Sequence, residues 1–495
     1  MTKIIQISTV DNVVVVLVET VLAQEKVVFD DVEVVAKEDI KQGHKIAIKD
    51  IKKGELIYKY GFPIGTAKAD IEAGSWVHTH NVETNLNEES AYTYQKKVTE
   101  LEAVSAESFQ GYLRSDGRVA IRNEIWILPT VGCVNGVAEK LVRDCKDEIE
   151  KGSIDGLYAF PHPYGCSQMG DDHERTKKLL AALANHPNAG GVLVLGLGCE
   201  NNTMEQFQKE LGSWEEERVQ FLVCQEVEDE IAEAKERLKK LAKYTGQFKR
   251  ESLPVSKLVI GMKCGGSDGL SGITANPTVG AFSDKLIARG GTTVLTEVPE
   301  MFGAEGMLMN RCINEEIFQK AVDMIDGFKK YFTDHNQVVY ENPSPGNKAG
   351  GITTLEDKSL GCVQKGGTAP IVEVLDYGDQ IEKTGLHMLT GPGNDLVSAT
   401  AMTAAGAHMV LFTTGRGTPF GAPAPTMKIS TNTPLYEKKK GWIDFNTGTI
   451  AEGKSIDETA EELLKFVIEI ANGKETKTEE YGYREINIFK DGVTL

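Results

Sequence analysis

The chain of 495 residues has no hydrophobic run of the length that a membrane span requires. An unbroken apolar stretch as long as any in the chain, Val13 to Val18, ends at Glu19, whereas a membrane helix needs about 20 apolar residues. Gln6 and Asp11 interrupt the apolar start of the chain, so no signal peptide is predicted. The sequence therefore predicts a cytoplasmic protein with no membrane partner.

Positive charge is also in short supply. Lys and Arg number 54 against 73 Asp and Glu, which gives a formal net charge of −19. A phosphate polymer is bound through clustered cations, so this balance argues against a nucleic-acid partner. A small anionic substrate is still allowed, because a local pocket can oppose the charge of the whole chain.

Cysteine is scarce, with 8 residues in the chain and no C-x-x-C motif. This excludes a disulfide framework and argues against structural zinc. The thiols are expected to be buried, catalytic or metal-binding. Four of them carry no signal beyond ordinary burial: Cys145, Cys224, Cys312 and Cys362.

The order of strand-like and helix-like segments predicts an α/β fold with a small β-rich N-terminal domain at residues 1–85. An Asp-Ile-x-x-Gly turn recurs there, at Asp39–Gly43, Asp50–Gly54 and Asp70–Gly74. A polar linker is expected at 86–108. Strands and helices then alternate, which predicts two α/β regions with largely parallel sheets, at 109–250 and 251–495.

Glycine–cysteine pairs follow three predicted strands at an even interval. Gly132, Gly165 and Gly198 are 33 residues apart, each followed by a cysteine. One strand–loop–helix unit has about this length, so the thiols are expected at one edge of a parallel sheet. Together with a fourth strand-end thiol, they form a set of candidate metal ligands: Cys133, Cys166, Cys199 and Cys264. Buried structural thiols are the alternative interpretation.

Histidines supply further candidates. His78 and His80 would lie on one face of an extended strand, as a pair of metal ligands or as a base with a neighbour that tunes its pKa. His162, in a loop rich in functional groups, is a candidate for acid–base catalysis.

Two motifs bear on nucleotide binding. Gly196-x-Gly198 follows a strand, but Asn201 stands where the dinucleotide fingerprint has its third glycine. Gly448 to Ser455 matches the phosphate-loop pattern. However, Ser455 with Glu458 also forms a capping box, which explains the serine without a nucleotide.

Several motifs together resemble the altronate/galactarate dehydratases along nearly the whole chain. Val77-His78-Thr79-His80-Asn81 is similar to the SAF (β-clip) domain that begins these enzymes. Gly165-Cys166-Ser167-Gln168-x-Gly170-Asp171-Asp172-His173 is more similar to the altronate than to the galactarate branch. The other matching segments run from Gly111 to Asn123, from Leu195 to Glu200 and from Lys263 to Pro277.

The resemblance implies dehydration of D-altronate to 2-dehydro-3-deoxy-D-gluconate, with iron(II) or manganese(II) required. An iron–sulfur cluster on the strand-end thiols is the alternative cofactor. His78, His80, His162 and Lys263 are the expected catalytic residues. The expected substrate-binding residues are Ser267, Asp268, Asn276 and Arg416, and Lys263 or Arg416 would grip the substrate carboxylate.

Two other functions are retained as alternatives. The substrate of the enzyme could be galactarate or another sugar acid. A sensor that binds a sugar acid without turnover would share the same pocket. A homo-oligomer is compatible with the sequence, which does not decide the oligomeric state.

Overall fold

The computed structural model describes residues 3–86, 92–339 and 342–492. It has the expected α/β architecture, with a β-rich N-terminal domain followed by two regions built on parallel sheets. Within the described residues, no helix is both long enough and apolar enough to cross a membrane.

The N-terminal domain consists of short antiparallel strands. Two sheets form its body, with the orders β1-β2-β7-β10 and β11-β9-β8, and two hairpin-like pairs complete it. The strands are β1 (Ile4–Ile5), β2 (Val13–Val16), β3 (Thr20–Val21), β4 (Lys26–Phe29), β5 (Val32–Val35), β6 (Ile40–Lys41), β7 (Lys45–Ala47), β8 (Leu56–Lys59), β9 (Phe62–Ala67), β10 (Trp76–Val77) and β11 (Val82–Glu83).

The repeated Asp-Ile-x-x-Gly turns are confirmed. Their glycines Gly43, Gly54 and Gly74 have φ values of 80°, 85° and 85°, which only glycine adopts without strain. The aspartates of the last two repeats cap each other's turns. Asp50 accepts a hydrogen bond from the amide of Ala73, and Asp70 accepts one from the amide of Lys53.

The expected linker, 86–108, includes residues 87–91, which lie outside the described part of the chain. Its described portion runs over the C-terminal region. The Tyr94 hydroxyl donates to the Cys312 carbonyl at 2.6 Å, and the Val104 amide donates to the Ala288 carbonyl at 2.8 Å.

The middle region contains a four-stranded parallel sheet with the order β15-β14-β16-β17 and a small antiparallel sheet with the order β13-β12-β18. Its strands are β12 (Ser108–Leu113), β13 (Val119–Ala120), β14 (Glu124–Pro129), β15 (Gly156–Ala159), β16 (Ala189–Gly196), β17 (Val219–Val223) and β18 (Glu251–Pro254). Its helices are α1 (Asn135–Ile149), α2 (Gly170–Ala184), α3 (Met204–Leu211) and α4 (Glu230–Thr245).

The C-terminal region is built on a seven-stranded, fully parallel sheet with the order β21-β22-β20-β19-β23-β24-β25. Its strands are β19 (Val259–Cys264), β20 (Thr292–Leu295), β21 (Ile371–Leu375), β22 (Gly385–Leu389), β23 (Met409–Thr414), β24 (Thr426–Ser430) and β25 (Phe445–Asn446). Its helices are α5 (Ala275–Ala288), α6 (Glu305–Met309), α7 (Glu315–Asp334), α8 (Pro345–Ala349), α9 (Leu355–Cys362), α10 (Asp395–Ala404), α11 (Thr433–Lys438), α12 (Ile456–Ala471) and α13 (Lys477–Glu480).

The C-terminal segment returns to the middle region through buried ion pairs. Arg484 contacts Glu124 at 2.7 Å and Glu479 at 3.1 Å, and Glu479 also pairs with Arg122 at 2.7 Å. All four side chains are at most 4% exposed. The segment therefore ties the two α/β regions together.

Candidate functional site

The seven-stranded sheet has its crevice between β19 and β23. The chain passes from β19 to β20 on one side and from β23 to β24 on the other. In open parallel sheets, ligands bind outside the carboxyl ends of the strands at such a point. Two glycine-rich loops lie there, and the Gly415 amide of one donates to the Gly266 carbonyl of the other at 3.1 Å.

The N-terminal domain covers this crevice. Its first repeated turn packs glycine against glycine, with Gly43 beside Gly269, Gly350 and Gly351. A Cβ atom on Gly269 would lie 1.9 Å from the Gly43 carbonyl oxygen, and one on Gly351 would lie 2.3 Å from it. The close approach requires glycine on both sides, so the three loops form one tightly packed junction.

A buried ion triad joins the two domains. Lys45 and Lys59, on β7 and β8, contact opposite oxygens of Asp357 on α9 at 2.8 and 3.0 Å. All three side chains are at most 1% exposed. Burial lowers the pKa of Lys45 to about 8, although Asp357 opposes the shift, and the two lysines hold the Asp357 pKa below its usual range despite burial.

A second buried network lies at the carboxyl ends of β19 and β20. Lys263 contacts Glu297 and, at 2.9 Å, Asp395. Lys365 contacts Glu297 at 3.3 Å and the Cys264 thiol at 2.9 Å. The pKa of Lys263 is raised because its carboxylate neighbours outweigh the effect of burial, so the ammonium group is charged, paired and enclosed.

The same network contains a group of candidate metal ligands. One ligand atom from each of Cys264, Glu300 and Cys362 lies within 4.8 Å of the others, and the two thiol sulfurs are 3.3 Å apart. Glu300 is already paired with Lys358 at 2.6 Å. The pKa of Cys362 is raised by its hydrogen bond with Cys264 and by burial, which keeps its thiol protonated.

The histidines of the N-terminal domain surround Trp76. His78 stacks on the indole with ring centroids 5.0 Å apart, His80 lies 5.1 Å from it, and His44 contacts both rings edge-on. Burial lowers the pKa of His78 to about 4, and the charge on nearby Lys45 contributes. Its Nδ1 atom is buried and has no hydrogen-bond partner among the described residues, so a neutral imidazole nitrogen is free here.

The expected extended geometry of His78 and His80 is wrong. The chain turns directly after β10: the Asn81 side chain accepts from the His78 amide, and the Val82 amide bonds to the His78 carbonyl. The Asn81 side chain stabilises this turn, which buries His78 and leaves His80 exposed. The two imidazoles meet the same indole ring rather than sharing one face of a strand.

His162 is a buried, fully bonded histidine. Its Nε2 lies 2.8 Å from the Pro129 carbonyl oxygen, and its Nδ1 accepts from the Tyr164 amide at 3.2 Å. Burial lowers its pKa to about 4. With both nitrogens engaged by the backbone, this arrangement favours a structural role over the expected acid–base role.

The candidate thiols fall into two groups. Cys133, Cys166 and Cys199 are exposed, at the carboxyl edge of the four-stranded sheet. This shared edge was expected from the 33-residue spacing and is confirmed. Cys264 is buried in the other sheet, so it does not belong with these three.

Three of the expected substrate-binding residues lie at the domain junction, where Ser267 and Asn276 are buried and Asp268 is half-buried. Ser267, Asp268 and Asn276 line a cavity of about 10 Å³ together with Tyr60. Asn276 bonds to the Gly361 carbonyl and to the Thr413 hydroxyl. A cavity of this size holds about one water molecule, so these side chains hold the junction together in this conformation.

Arg416 is different, because it is exposed and has no carboxylate partner among the described residues. Its guanidinium donates to the Gly346 carbonyl at 3.1 Å, on α8. His44 contacts the Ala349 carbonyl on the same helix. Gly346 and Ala349 are three helix residues, or about 5 Å, apart. Arg416 and His44 therefore contact the same short helix, which also carries Lys348.

The phosphate-loop match has a structural explanation. Ser455 caps α12, and both bonds of the capping box with Glu458 are formed. Lys454 pairs with Glu462 at 2.5 Å. The serine and lysine of the motif are thus engaged within the helix terminus.

Sequence reasoning missed the charged residues that hold the junction together. Lys45 begins the strand β7 and Lys59 ends the strand β8, so each lysine adjoins apolar residues, which is a weak local signal of a buried charge. Glu297 and Glu300 lie within five residues of the end of the buried strand β20, and Glu297 has a left-handed φ of 71°. Asp357 gives no signal, because its partners are about 300 residues away in sequence.

Three family profiles match successive parts of the chain. "Altronate/galactarate dehydratase SAF domain" matches residues 2–85. "D-galactarate dehydratase/Altronate hydrolase, second domain" matches residues 111–246. "D-galactarate/Altronate dehydratase, C-terminal" matches residues 255–494.

Curated relatives are similar over nearly their whole length. An altronate dehydratase of Escherichia coli (strain K12) is 52% identical over 493 residues, which is 99% of each chain. One of Bacillus subtilis (strain 168) is 51% identical over 499 residues, covering all of both chains. A galactarate dehydratase (L-threo-forming) of Escherichia coli (strain K12) is 34% identical over 98% of this chain and 96% of its own.

Proposed function

Because the chain belongs to the D-galactarate/altronate dehydratase family, we propose that it is a hydro-lyase that converts D-altronate into 2-dehydro-3-deoxy-D-gluconate and water. The observation that carries this proposal is the full-length identity of 52% and 51% to two altronate dehydratases, against 34% to a galactarate dehydratase.

The reaction removes a proton from C2 and the hydroxyl from C3. The C2–H and C3–O bonds break, a C2–C3 double bond forms, and the enol product rearranges to the 2-keto acid. The C2 proton lies next to a carboxylate and is weakly acidic. The site must therefore supply a base, an acid for the departing hydroxyl and positive charge beside the carboxylate.

The surface beside α8 offers these groups. We assign the substrate carboxylate to Arg416, assisted by Lys348, since neither cation has a carboxylate partner among the described residues. His78 takes the C2 proton at its free Nδ1. His80, on the same indole ring, is assigned as the acid for the C3 hydroxyl. Arg416 and Lys348 thus give this surface a local positive charge, although the whole chain has a formal net charge of −19.

A bound divalent cation would stabilise the charge that develops on the substrate carboxylate. We propose iron(II), with manganese(II) as the alternative, because sulfur ligands favour iron and oxygen ligands suit manganese. The buried group of Cys264, Glu300 and Cys362 does not fit this ion as it stands. Lys358 and Lys365 already neutralise it, and Cys362 is held protonated.

A substrate panel tests the proposed function. The purified protein, prepared without oxygen and supplied with iron(II) or manganese(II), is assayed for 2-keto-3-deoxy acid from altronate, galactarate and other sugar acids. We expect the highest kcat/KM with altronate. Preference for galactarate would assign the second family activity, and binding without any keto acid would identify a sensor.

Substitution of Arg416 tests the assigned carboxylate contact. We expect Arg416→Gln to raise the KM for altronate about 10- to 100-fold with a smaller change in kcat, because a hydrogen bond to a charged group contributes about 1.5–3 kcal/mol. Arg143→Gln, at an exposed arginine of α1, is the control and should leave KM unchanged. An unchanged KM in Arg416→Gln would remove this residue from the site.

A further inference from the structure

We propose that Cys264 and Cys362 form a reversible oxidation site, in which hydrogen peroxide converts the two thiols into a disulfide and a dithiol restores them. Cys264 ends β19, and Cys362 ends α9, 98 residues later in the chain. Both segments belong to the domain junction. The site is independent of the proposed function, because neither its reaction nor its test requires a substrate.

The two sulfur atoms are already in contact. They lie 3.3 Å apart, in the one hydrogen bond between two thiols that the described residues form. A disulfide has an S–S bond of about 2.0 Å, so the sulfurs need to approach each other by only about 1.3 Å. The fold therefore places the two reaction partners side by side before any oxidant arrives.

The charged side chains around the pair give the two thiols different roles. The Lys365 ammonium group lies 2.9 Å from the Cys264 sulfur, where it stabilises the negative charge of a thiolate. Both thiols donate to Glu300, Cys264 at 3.4 Å and Cys362 at 3.2 Å. The pKa of Cys362 is raised by its hydrogen bond with Cys264 and by burial. Cys264 is thus the thiol that attacks the oxidant, and Cys362 is the thiol that completes the disulfide.

The surroundings of the pair select a small oxidant. Cys264 and Cys362 are only 1% and 4% exposed, so a bulky oxidant such as glutathione disulfide is too large to reach them. Cys362 lines the cavity of about 10 Å³ at the domain junction, which has room for about one water molecule. Hydrogen peroxide is the common cellular oxidant nearest to water in size, and it is therefore the one assigned.

The reaction transfers two electrons from sulfur to the oxygen atoms of one peroxide molecule. The Cys264 sulfur forms an S–O bond as the O–O bond breaks, and the departing hydroxide takes the thiol proton and leaves as water. The Cys362 sulfur then forms the S–S bond as the S–O bond of the sulfenic acid breaks. The second hydroxide takes the Cys362 proton and also leaves as water. Two thiols and one hydrogen peroxide thus give one disulfide and two water molecules.

The disulfide protects the pair and braces the junction. A sulfenic acid that finds no thiol is oxidised further to sulfinic and sulfonic acids, which dithiols do not reduce. Capture by Cys362 stops this sequence at a reversible stage. The cross-link also joins β19 to α9, the helix of Asp357, across 98 residues of chain. A cross-link over so long a loop strongly restricts the unfolded chain, so oxidation leaves the junction intact.

The test maps the disulfide in the intact chain. The reduced, folded protein is treated with hydrogen peroxide, and catalase then ends the reaction. Free thiols are blocked with N-ethylmaleimide in denaturant before digestion with trypsin, which releases the two cysteines on peptides 264–285 and 359–365. We expect these peptides to be joined, lighter than their sum by two hydrogen atoms, and to separate on treatment with dithiothreitol.

Two variants and an unfolded sample are the controls. Cys362→Ala should abolish the cross-link and leave Cys264 as sulfinic or sulfonic acid. Cys145→Ala, at a buried cysteine of α1, is the matched control and should retain the cross-link. The unaltered chain in guanidinium chloride should give mixed cysteine pairs, because the specific pairing depends on the fold.

Three results in the unaltered folded chain would overturn the proposal. The first is that both thiols stay reduced while the exposed Cys133 is oxidised. The second is sulfinic acid at Cys264, and the third is a disulfide between Cys264 and any cysteine other than Cys362. None of these results depends on the folding of a variant. None bears on altronate dehydration, which the substrate panel measures separately.

Discussion

Replacing His78 with glutamine should lower kcat for altronate dehydration by about a thousandfold, within the range of 10²–10⁴ that a positioned acid or base contributes. Glutamine keeps a polar side chain of similar size but cannot take a proton. His78 has the required free nitrogen, since its Nδ1 has no partner among the described residues. Near-normal kcat would exclude the histidine as the base.

The pH dependence provides a second measurement of the same role. The pKa of His78 is lowered to about 4, mainly by burial, so the imidazole is neutral above this pH and protonated below it. In the free enzyme, kcat/KM should therefore fall as the pH decreases through about 4. A bound carboxylate would raise this pKa, so the acid limb of kcat should lie at higher pH. His335→Gln, at an exposed histidine after α7, is the control and should change neither profile.

Asp357→Asn should destabilise the protein by about 3–5 kcal/mol, the usual cost of removing one partner from a buried ion pair. The substitution leaves Lys45 and Lys59 buried without a counter-charge. Both lysines belong to the N-terminal domain, so its separation from the C-terminal region should be the first step of unfolding. The free energy of unfolding in urea and the rate of proteolysis of the linker measure the two effects.

Asp70→Asn is the matched control for this substitution. Asp70 pairs with Lys52 at 3.0 Å, but the two side chains are 60% and 66% exposed. Exposed pairs contribute about 0–1 kcal/mol, so the free energy of unfolding of this variant should be close to that of the unaltered protein. If both variants lost a comparable amount of unfolding free energy, burial would not be the reason that the triad stabilises the protein.

Local patterns predicted the elements of this fold well. The positive φ of Gly43, Gly54 and Gly74 follows from the repeated turn, and the common edge of Cys133, Cys166 and Cys199 follows from the spacing of three strand–helix units. These features depend on short segments. Backbone geometry and the length of a β-loop-α unit decide them.

The domain junction could not be predicted in this way. The geometry of His78 depends on the bond that Asn81 forms within a turn, which overrides the extended pattern of the preceding strand. Lys263 follows a strand like any candidate catalytic lysine, but Glu297 and Asp395 enclose it. A bond between residues three positions apart decides the first outcome. Contacts between distant segments decide the second, and one sequence carries no record of them.

The triad of Lys45, Lys59 and Asp357 also bears on how the chain is made. Asp357 follows Lys45 by 312 residues, and a ribosome that adds about 5–20 residues per second needs roughly 15–60 s to synthesise that length. During this interval the N-terminal strands exist without their counter-charge. Their two lysines must stay hydrated until the C-terminal region is synthesised, so docking of the first domain is a late event in biogenesis.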